Sequence, residues 1–436
     1  MSNLPRLPSS GIKVIIVGAG FAGLTAAIEC DRKGHDVILL EKVSNLKPLG
    51  DIISFGQNSS RIFAKWPGVM EQFEPIIHKA NTFHYHNWEG KFATTQSFSE
   101  EKDWGRRVNG HRAELHRILF EHGKERGIDI RLGQKVTDYF EDDQEAGVVS
   151  NGERHTADIV LAAEGVKSAG RKIVLGFDDQ PKPSGYAVYR AWFSTESLKQ
   201  NPVTKHLVQG DTHNGWIGQD IHFLAASIKD GKEISWVCTH RDEAGIEESW
   251  QYPGKVDDVL KVLDGWAPAV IELVKATPED HLFDYKLVFR DPLPTFVSPG
   301  NRIALIGDAA HPFLPTSIQG ASQAMEDGVT LAACLDYAGK AKVTEAMQVY
   351  EKIRYKRVHA IQQTGVTTRE KWHKADWDLI WQDPTLLHLK REAWILNFDA
   401  EEHAYSEYEK VRKSITSVDE KAAEQSVLSG PEPVMV

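Results

Sequence analysis

The stretch Lys13-Val14-Ile15-Ile16-Val17-Gly18-Ala19-Gly20-Phe21-Ala22-Gly23 decides the fold. Its first five residues are rich in β-branched side chains, and three glycines spaced G-x-G-x-x-G follow at once. Leu24 to Lys33 then carries helix formers until Gly34 stops it, and Asp36-Val37-Ile38-Leu39-Leu40-Glu41 is a second apolar run. Strand, glycine turn, helix and strand within about 30 residues read as a βαβ unit whose strands are parallel, buried neighbours.

Glycine-rich turns are common, and this context gives these three a purpose. Gly18 permits the tight turn, Gly20 lets backbone amides approach a pyrophosphate at the helix N-terminus, and Gly23 allows helix to pack closely on strand. Glu41 stands 18 residues beyond Gly23, where a carboxylate can accept both hydroxyl hydrogens of an adenosine ribose. The bland alternative is a strand–helix turn with an incidental surface glutamate. The pattern predicts a dinucleotide with a free 2′-hydroxyl, FAD or NAD. A second constellation separates the two: Gly307-Asp308 ends the apolar run Arg302-Ile303-Ala304-Leu305-Ile306. Ligands of open α/β sheets lie beyond the carboxyl ends of the strands, so Asp308 is expected beside the same dinucleotide, able to bind ribityl hydroxyls that only a flavin has. A helix N-cap is the plain alternative for Asp308, and it is the pairing of the two motifs that favours FAD.

Around these motifs, residues 50 to 110 show no long periodic element. Arg112 to Arg126 reads as an amphipathic helix, and Ile128 to Leu132, Lys135 to Phe140 and Asp158 to Ala163 read as strands. From Gly185 to Phe296 the texture is alternating and aromatic, as in Tyr186 to Phe193, Trp216 to Ile228 and Ile234 to Thr239, the pattern of an antiparallel sheet. Gln319 to Tyr337 and Val343 to Gln363 are helix-compatible, and Trp372, Trp377, Trp381 and Trp394 follow in a charged C-terminal stretch. These tryptophans read either as a substrate lid or as ordinary core. The expected division is a dinucleotide domain over residues 1–184, a β-rich substrate domain over 185–296, a return segment over 297–364, and a helical cap over 365–436 that loosens into a tail from about Lys413.

The chain has 436 residues, 41% hydrophobic and 26% charged, which excludes wholesale disorder and fibrous repeats. A net charge of −11, from 51 Lys+Arg against 62 Asp+Glu, repels a phosphate backbone, so nucleic acid is not an expected partner. Cys30, Cys238 and Cys334 lie far apart with no C-x-x-C pair, so no metal site is expected and a reducing compartment is. Met1 to Gly11 lacks the basic and apolar regions of a secretory signal, and the longest uncharged stretch, Val14 to Ile28, is too short to span a bilayer. The expectation is a cytoplasmic protein with no transmembrane segment, monomeric or homodimeric.

Over roughly residues 12 to 360 the chain resembles the single-component FAD-dependent aromatic monooxygenases of the para-hydroxybenzoate and salicylate hydroxylase type. The N-terminal fingerprint, Leu161-Ala162-Ala163-Glu164-Gly165-Val166-Lys167-Ser168, and Gly307-Asp308-Ala309-Ala310-His311-Pro312 carry the likeness, which continues through Pro315 and Gln319-Gly320-Ala321-Ser322-Gln323-Ala324-Met325-Glu326-Asp327. Within that family it looks most like fungal secondary-metabolism members. The resemblance implies an α/β fold: a Rossmann-like FAD-binding domain of the three-layer ββα type, an inserted antiparallel substrate domain and C-terminal helices. Two departures stand out. The middle motif is usually Asp-Gly and is Glu164-Gly165 here, and the frequent Gly-Gln-Gly before Ala321 is Ile318-Gln319-Gly320.

Position by position, the resemblance assigns Gly18, Gly20, Gly23, Glu41, Gly50, Arg112, Glu164, Gly165, Asp308, Gly320 and Ala321 to the cofactor, with Arg112 at the FAD phosphates. Asp51 follows as a polar group near substrate or a plain turn aspartate. Pro312 and Pro315 shape the loop beside the flavin, and His311 serves packing and loop geometry. Period-2 alternation puts Val188, Arg190 and Trp192 on one face. Arg190 there either orients substrate and assists oxygen transfer or forms an ion pair at a domain boundary. The implied reaction uses NAD(P)H as transient reductant and dioxygen, through a flavin C4a-hydroperoxide, to hydroxylate or epoxidise a small phenolic or indole substrate. The rivals are a halogenase or prenyl reductase of the same fold, and a non-catalytic FAD-fold binding protein. The Trp-x-Trp-x-Ile-Pro stretch of a halogenase is absent, and a binding module has no need of Glu41 and Asp308 together.

Overall fold

Four successive residues, as in Val14 to Val17, can all be apolar and buried in a strand only if both faces of its sheet are covered. In the computed structural model, which describes residues 6–46, 51–242 and 252–428, strand β1 (Lys13–Val17) satisfies this: Val14 and Ile16 enter one core, and Ile15 and Val17 enter another. β1 is the centre of a five-stranded parallel sheet ordered β18-β11-β1-β2-β7, with β2 at Asp36–Glu41, β7 at Asp129–Leu132, β11 at Ile159–Ala162 and β18 at Ile303–Leu305. The first core holds α1 (Phe21–Arg32), α4 (Arg112–Glu125), α9 (Gly320–Ala338) and the inner face of α10 (Val343–His373). Against the opposite face lies the small antiparallel sheet β8 (Val136–Glu141), β9 (Ala146–Ser150) and β10 (Glu153–Ala157). This is the three-layer ββα arrangement.

The second large sheet has eight strands in the order β16-β17-β12-β15-β14-β13-β4-β5. They are β4 (Thr82–Asn87), β5 (Phe92–Ser97), β12 (Lys182–Ser194), β13 (Thr212–Gly218), β14 (Ile221–Ile228), β15 (Glu233–Arg241), β16 (Tyr252–Pro253) and β17 (Leu282–Phe289). All neighbours are antiparallel except β13 and β4. Tyr189, Ala191 and Phe193 pack on the outer face against α7 (Val256–Val262) and α8 (Pro268–Lys275). Tyr186 and Val188 point the other way, with Tyr285 and Leu287 of β17. Two expectations need correction. The 50–110 stretch contains β4 and β5, which extend this sheet, because Thr82 to Asn87 alternates in burial through polar and aromatic side chains that a hydropathy pattern underrates. Trp216 to Ile228 is a hairpin, broken where Asp220 takes a φ of 58°.

Between these sheets the short pair β3 (Ile52–Phe55) and β6 (Val108–His111) joins α2 (Gln57–Phe63) and α3 (Val69–Phe73), while α5 (Gly170–Leu175) and α6 (Glu196–Gln200) flank β12. The C-terminal region forms α11 (Trp377–Gln382), α12 (Ala393–Leu396) and α13 (Ala400–Leu428). The loose tail expected from Lys413 is helical to Leu428, consistent with the high helix propensity of its Ala, Glu and Lys residues. Trp372 is core, with its indole N–H donating to the Leu387 carbonyl (3.0 Å), whereas Trp394 is 47% exposed. All three cysteines are free and buried, and burial pushes their thiols far above the usual range. Among the described residues no helix is long and apolar enough to cross a membrane.

Candidate active site

The parallel sheet grows from β1 through β2 to β7 on one side and restarts with β11 and β18 on the other, so its switch point lies between β1 and β11. Ligands of such sheets bind beyond the carboxyl ends at that crevice. Gly18 follows β1, Glu164-Gly165 follows β11, and Gly307-Asp308 follows β18. The three fingerprint glycines are required for different reasons. A Cβ on Gly18, where φ is +102°, would lie 2.5 Å from the Ala163 carbonyl oxygen, and one on Gly23 would lie 1.9 Å from that of Gly18. Chain packing therefore demands both. A Cβ on Gly20 would meet no atom within 4 Å, so packing alone does not require glycine there. What that glycine preserves is open access to the first-turn amides of α1, which no side chain caps. Uncapped N–H donors at the positive end of a helix beside an unfilled cradle fit the pyrophosphate of a dinucleotide.

The ribose and ribityl positions also fit. Glu41 is held at the tip of β2 by two backbone donors, Ala19 N–H (2.8 Å) and Val43 N–H (3.0 Å), and keeps lone pairs for hydroxyl donors. Burial pushes the Asp308 carboxyl above its ordinary range, while the Arg112, His311 and Arg171 charges pull the other way. A carboxylate in such surroundings gains from hydroxyl donors supplied by a ligand. Arg112 opens α4, its backbone N–H donating to the Asp51 carbonyl (3.0 Å) and its guanidinium 5.9 Å from the Phe21 ring. α4, α1 and the Asp308 loop thus converge. Gly50 lies outside the described residues.

Glu164 has a different environment. Its Oε2 accepts from the Tyr139 hydroxyl (2.6 Å), the Ser168 hydroxyl (2.6 Å) and the Gly170 N–H (3.4 Å). The extra methylene relative to aspartate carries this carboxylate into the turn that joins β11 to α5. Gly165 beside it has a φ of +81° and an unfilled Cβ position. Six residues further on, the Arg171 guanidinium donates from Nε to the Ala309 carbonyl (2.9 Å), tying the middle motif to the Asp308 loop. Burial, then the neighbouring Arg290, lowers the Arg171 pKa to about 10.

Arg190 is 8% exposed on the inner face of β12, in register with Val237 of β15 and Phe283 of β17. Its Nη1 lies 3.0 Å from Asp51 Oδ2, and its guanidinium 5.7 Å from the Phe283 ring. Two residues read separately from sequence therefore meet, at the seam between the sheets. The ion pair, the plain alternative to a substrate role for Arg190, is present, and it stands on a wall of Val188, Tyr285 and Leu287. Next to it a cleft of about 550 Å³ is lined by His111, Glu114, Arg117, Trp192, Glu233 and His281.

Pro315 opens a single 3-10 turn (Pro315–Ser317) that leads to Gly320 and Ala321 at the uncapped start of α9. Ile318, standing where glycine is frequent, has φ 56° and ψ 23°. For a β-branched residue this left-handed conformation costs about 1–2 kcal/mol.

Sequence reasoning missed what holds this region. Asp327 is fully buried; its Oδ2 accepts from the Gly307 N–H (2.9 Å) and pairs with His311 Nε2 (2.6 Å), and its Oδ1 accepts from Arg354 Nε (2.7 Å). Glu326 accepts from Asn58 Nδ2 (2.7 Å), Arg354 Nη1 (2.5 Å) and Arg357 Nε (2.9 Å). Arg354 thereby fastens α10 to the turn that carries Asp308. A signal existed: Tyr350, Arg354, Val358 and Ile361 fall on one helical face, and a cation on an apolar stripe demands buried partners.

The family model described as an FAD binding domain matches residues 11–364. Asperlicin C monooxygenase of Petromyces alliaceus is 37% identical over 94% of this chain and 91% of its own length. The crystal structure of CtdE in complex with FAD and a substrate superposes with a TM-score of 0.88, at 36% identity, over 93% of this chain and all of that one. A salicylate hydroxylase substrate complex superposes with a TM-score of 0.75, at 25% identity, over 91% and 98%.

Proposed function

The chain belongs to the FAD binding domain family and is an FAD-dependent monooxygenase of the kind found in fungal secondary metabolism, and from that premise we propose that it uses NAD(P)H and dioxygen to hydroxylate or epoxidise a small phenolic or indole substrate. In the balanced reaction NAD(P)H and a proton supply two electrons and two hydrogens, one oxygen atom enters the product, and the other leaves as water. FAD, when bound, supplies the redox chemistry that activates dioxygen.

The protein's own share is binding, orientation and exclusion of water. The amides at Gly20 and the charge of Arg112 hold the pyrophosphate, Glu41 the adenosine ribose, and Asp308 the ribityl chain. Gly320 and Ala321 leave the start of α9 open to the flavin, with Pro315 shaping the approach. Asp327, His311 and Arg354 act as positioning residues by fixing the Gly307–Asp308 turn. The observation that carries the substrate reading is the Arg190–Asp51 pair on an aromatic and aliphatic wall. Apolar side chains there take the faces of an aromatic ring, and one fixed cation orients its polar group and stabilises negative charge that develops on oxygen. Glu164 Oε2 supports the loop through Tyr139 and Ser168, which leaves Oε1 as the atom of this carboxylate able to face a nucleotide. A cleft of about 650 Å³ beside that loop presents Lys167, Lys172, Arg171 and Arg290, along with Asp178 and Asp179, and its cations suit the phosphates of NAD(P)H.

Anaerobic stopped-flow reduction of the FAD-loaded enzyme by NADPH, with a panel of phenols and indoles, tests the reading. At least one compound should accelerate flavin reduction and be oxygenated when air is admitted. Reduction indifferent to every compound, with peroxide as the sole product in air, would count against it.

A further inference from the structure

Six non-glycine residues have positive φ among the described residues: Asn151, Asp220, Lys229, Asp230, Asn301 and Ile318. The first five are polar, and Ile318 alone is β-branched, the type that tolerates this region least. Strain of this kind persists where surrounding contacts over-determine the backbone, and they do here. Ile318 N–H donates to the Pro315 carbonyl (3.0 Å), and the Gln319 N–H to the Ser317 hydroxyl (3.2 Å). The Thr316 hydroxyl donates to the Gly365 carbonyl of α10 (2.6 Å), and α10 approaches so closely that a Cβ on Gly365 would lie 3.1 Å from Ser317 Cβ. On the other flank, buried Gln319 Oε1 accepts from Asn58 Nδ2 (3.1 Å) and Gln323 Nε2 (3.2 Å).

These clamps explain the backbone and leave the side chain unexplained, since glycine would take the same turn without strain. Ser317 is committed to α10 and Gln319 to the α2–α9 side. The half-buried Ile318 side chain belongs to none of the hydrophobic core clusters among the described residues, and Ile318 stands two residues before Gly320 and the uncapped start of α9. We propose that Ile318 is a sealing residue: its branched side chain closes the α9 end of the active site against water, and the strained backbone is the cost of having a side chain there. The proposal rests on the reading of α9 as the flavin-facing element. Excluding water at this end keeps activated oxygen for the substrate instead of losing it as peroxide.

The test compares Ile318→Gly, Ile318→Ala and Ile318→Val. Apo-protein melting reads the strain: Ile318→Gly should melt no lower than wild type, and Ile318→Ala, which keeps the left-handed strain without the branched side chain, should melt below Ile318→Gly. Iodide quenching of bound-flavin fluorescence reads the seal: Gly and Ala variants should show about a twofold rise in quenching constant, with Val close to wild type. In air, the open variants should consume more NADPH per product formed, the difference appearing as hydrogen peroxide. A Gly variant that melts well below wild type, with quenching unchanged, would make Ile318 ordinary packing and overturn the proposal. Wild-type protein that takes up no FAD would defeat the underlying reading as well, whereas flavin-loaded variants with unchanged quenching defeat the sealing role alone.

Discussion

The two large sheets make their half of the site by different means. The parallel sheet works mainly through backbone: glycines placed where strands end, amides left uncapped, and carboxylates at Glu41 and Asp308 set by short local motifs. The eight-stranded sheet works through side chains whose partners lie far away in sequence, as Arg190 does with Asp51. Damage to the first should therefore strike folding and cofactor, and damage to the second should strike turnover with the cofactor in place.

The largest expected effect is Gly23→Ala. Its Cβ has no room against the Gly18 carbonyl, so little folded, yellow protein should be recovered, measured as soluble yield and flavin absorbance. Arg190→Ala should bind FAD normally and lose roughly a hundredfold in product formation, the scale of a lost oxyanion donor. Unchanged turnover would reduce Arg190 to a seam ion pair. Asp308→Ala should weaken FAD binding by about tenfold or more, since ribityl hydroxyls lose their acceptor. Gly20→Ala sharpens the contrast with Gly23: its apo-protein should melt like wild type, because the Cβ touches nothing, while FAD affinity falls by about tenfold.

The smallest effect on activity belongs to the brace between α1 and α13. Burial raises the Glu401 carboxyl, yet hydrogen bonds from Lys33 and Lys65 and the charges of Lys65 and Arg32 outweigh it and hold the pKa near 2, below the ordinary 4.5. A depressed carboxylate stabilises the fold above its unfolded pKa, and that contribution disappears as pH falls from 4.5 through 2. Glu401→Gln should leave turnover unchanged, cost about 3 kcal/mol of stability at neutral pH and flatten that acid limb, as read by denaturant unfolding.

Legibility in the sequence follows the same division. The glycine turn and the parallel pairing of β1 with β2 were readable because they depend on a short stretch of neighbouring residues. Arg190 was readable as a cation on an apolar face, but its partner was not, because strand pairing and the seam with β3 are set by tertiary packing. β4 and β5 were overlooked for a related reason: their alternation runs through histidine, tyrosine and asparagine. The strain at Ile318 and the Asp327 bonds to Gly307 and His311 appear only once the backbone is folded, although the run containing both was conspicuous. Glu164 shows how one methylene redirects a motif carboxylate into the turn beneath it.

The central claim is oxygen transfer, and isotope labelling addresses it most directly. The FAD-loaded enzyme would be run with NADPH under ¹⁸O₂ against whichever phenol or indole accelerates flavin reduction, and the product weighed by mass spectrometry. One ¹⁸O atom per product in the wild-type enzyme, with product formation strongly reduced in Arg190→Ala, is the predicted result. A product whose new oxygen comes from water, or none despite normal FAD occupancy and NADPH consumption, would contradict the account.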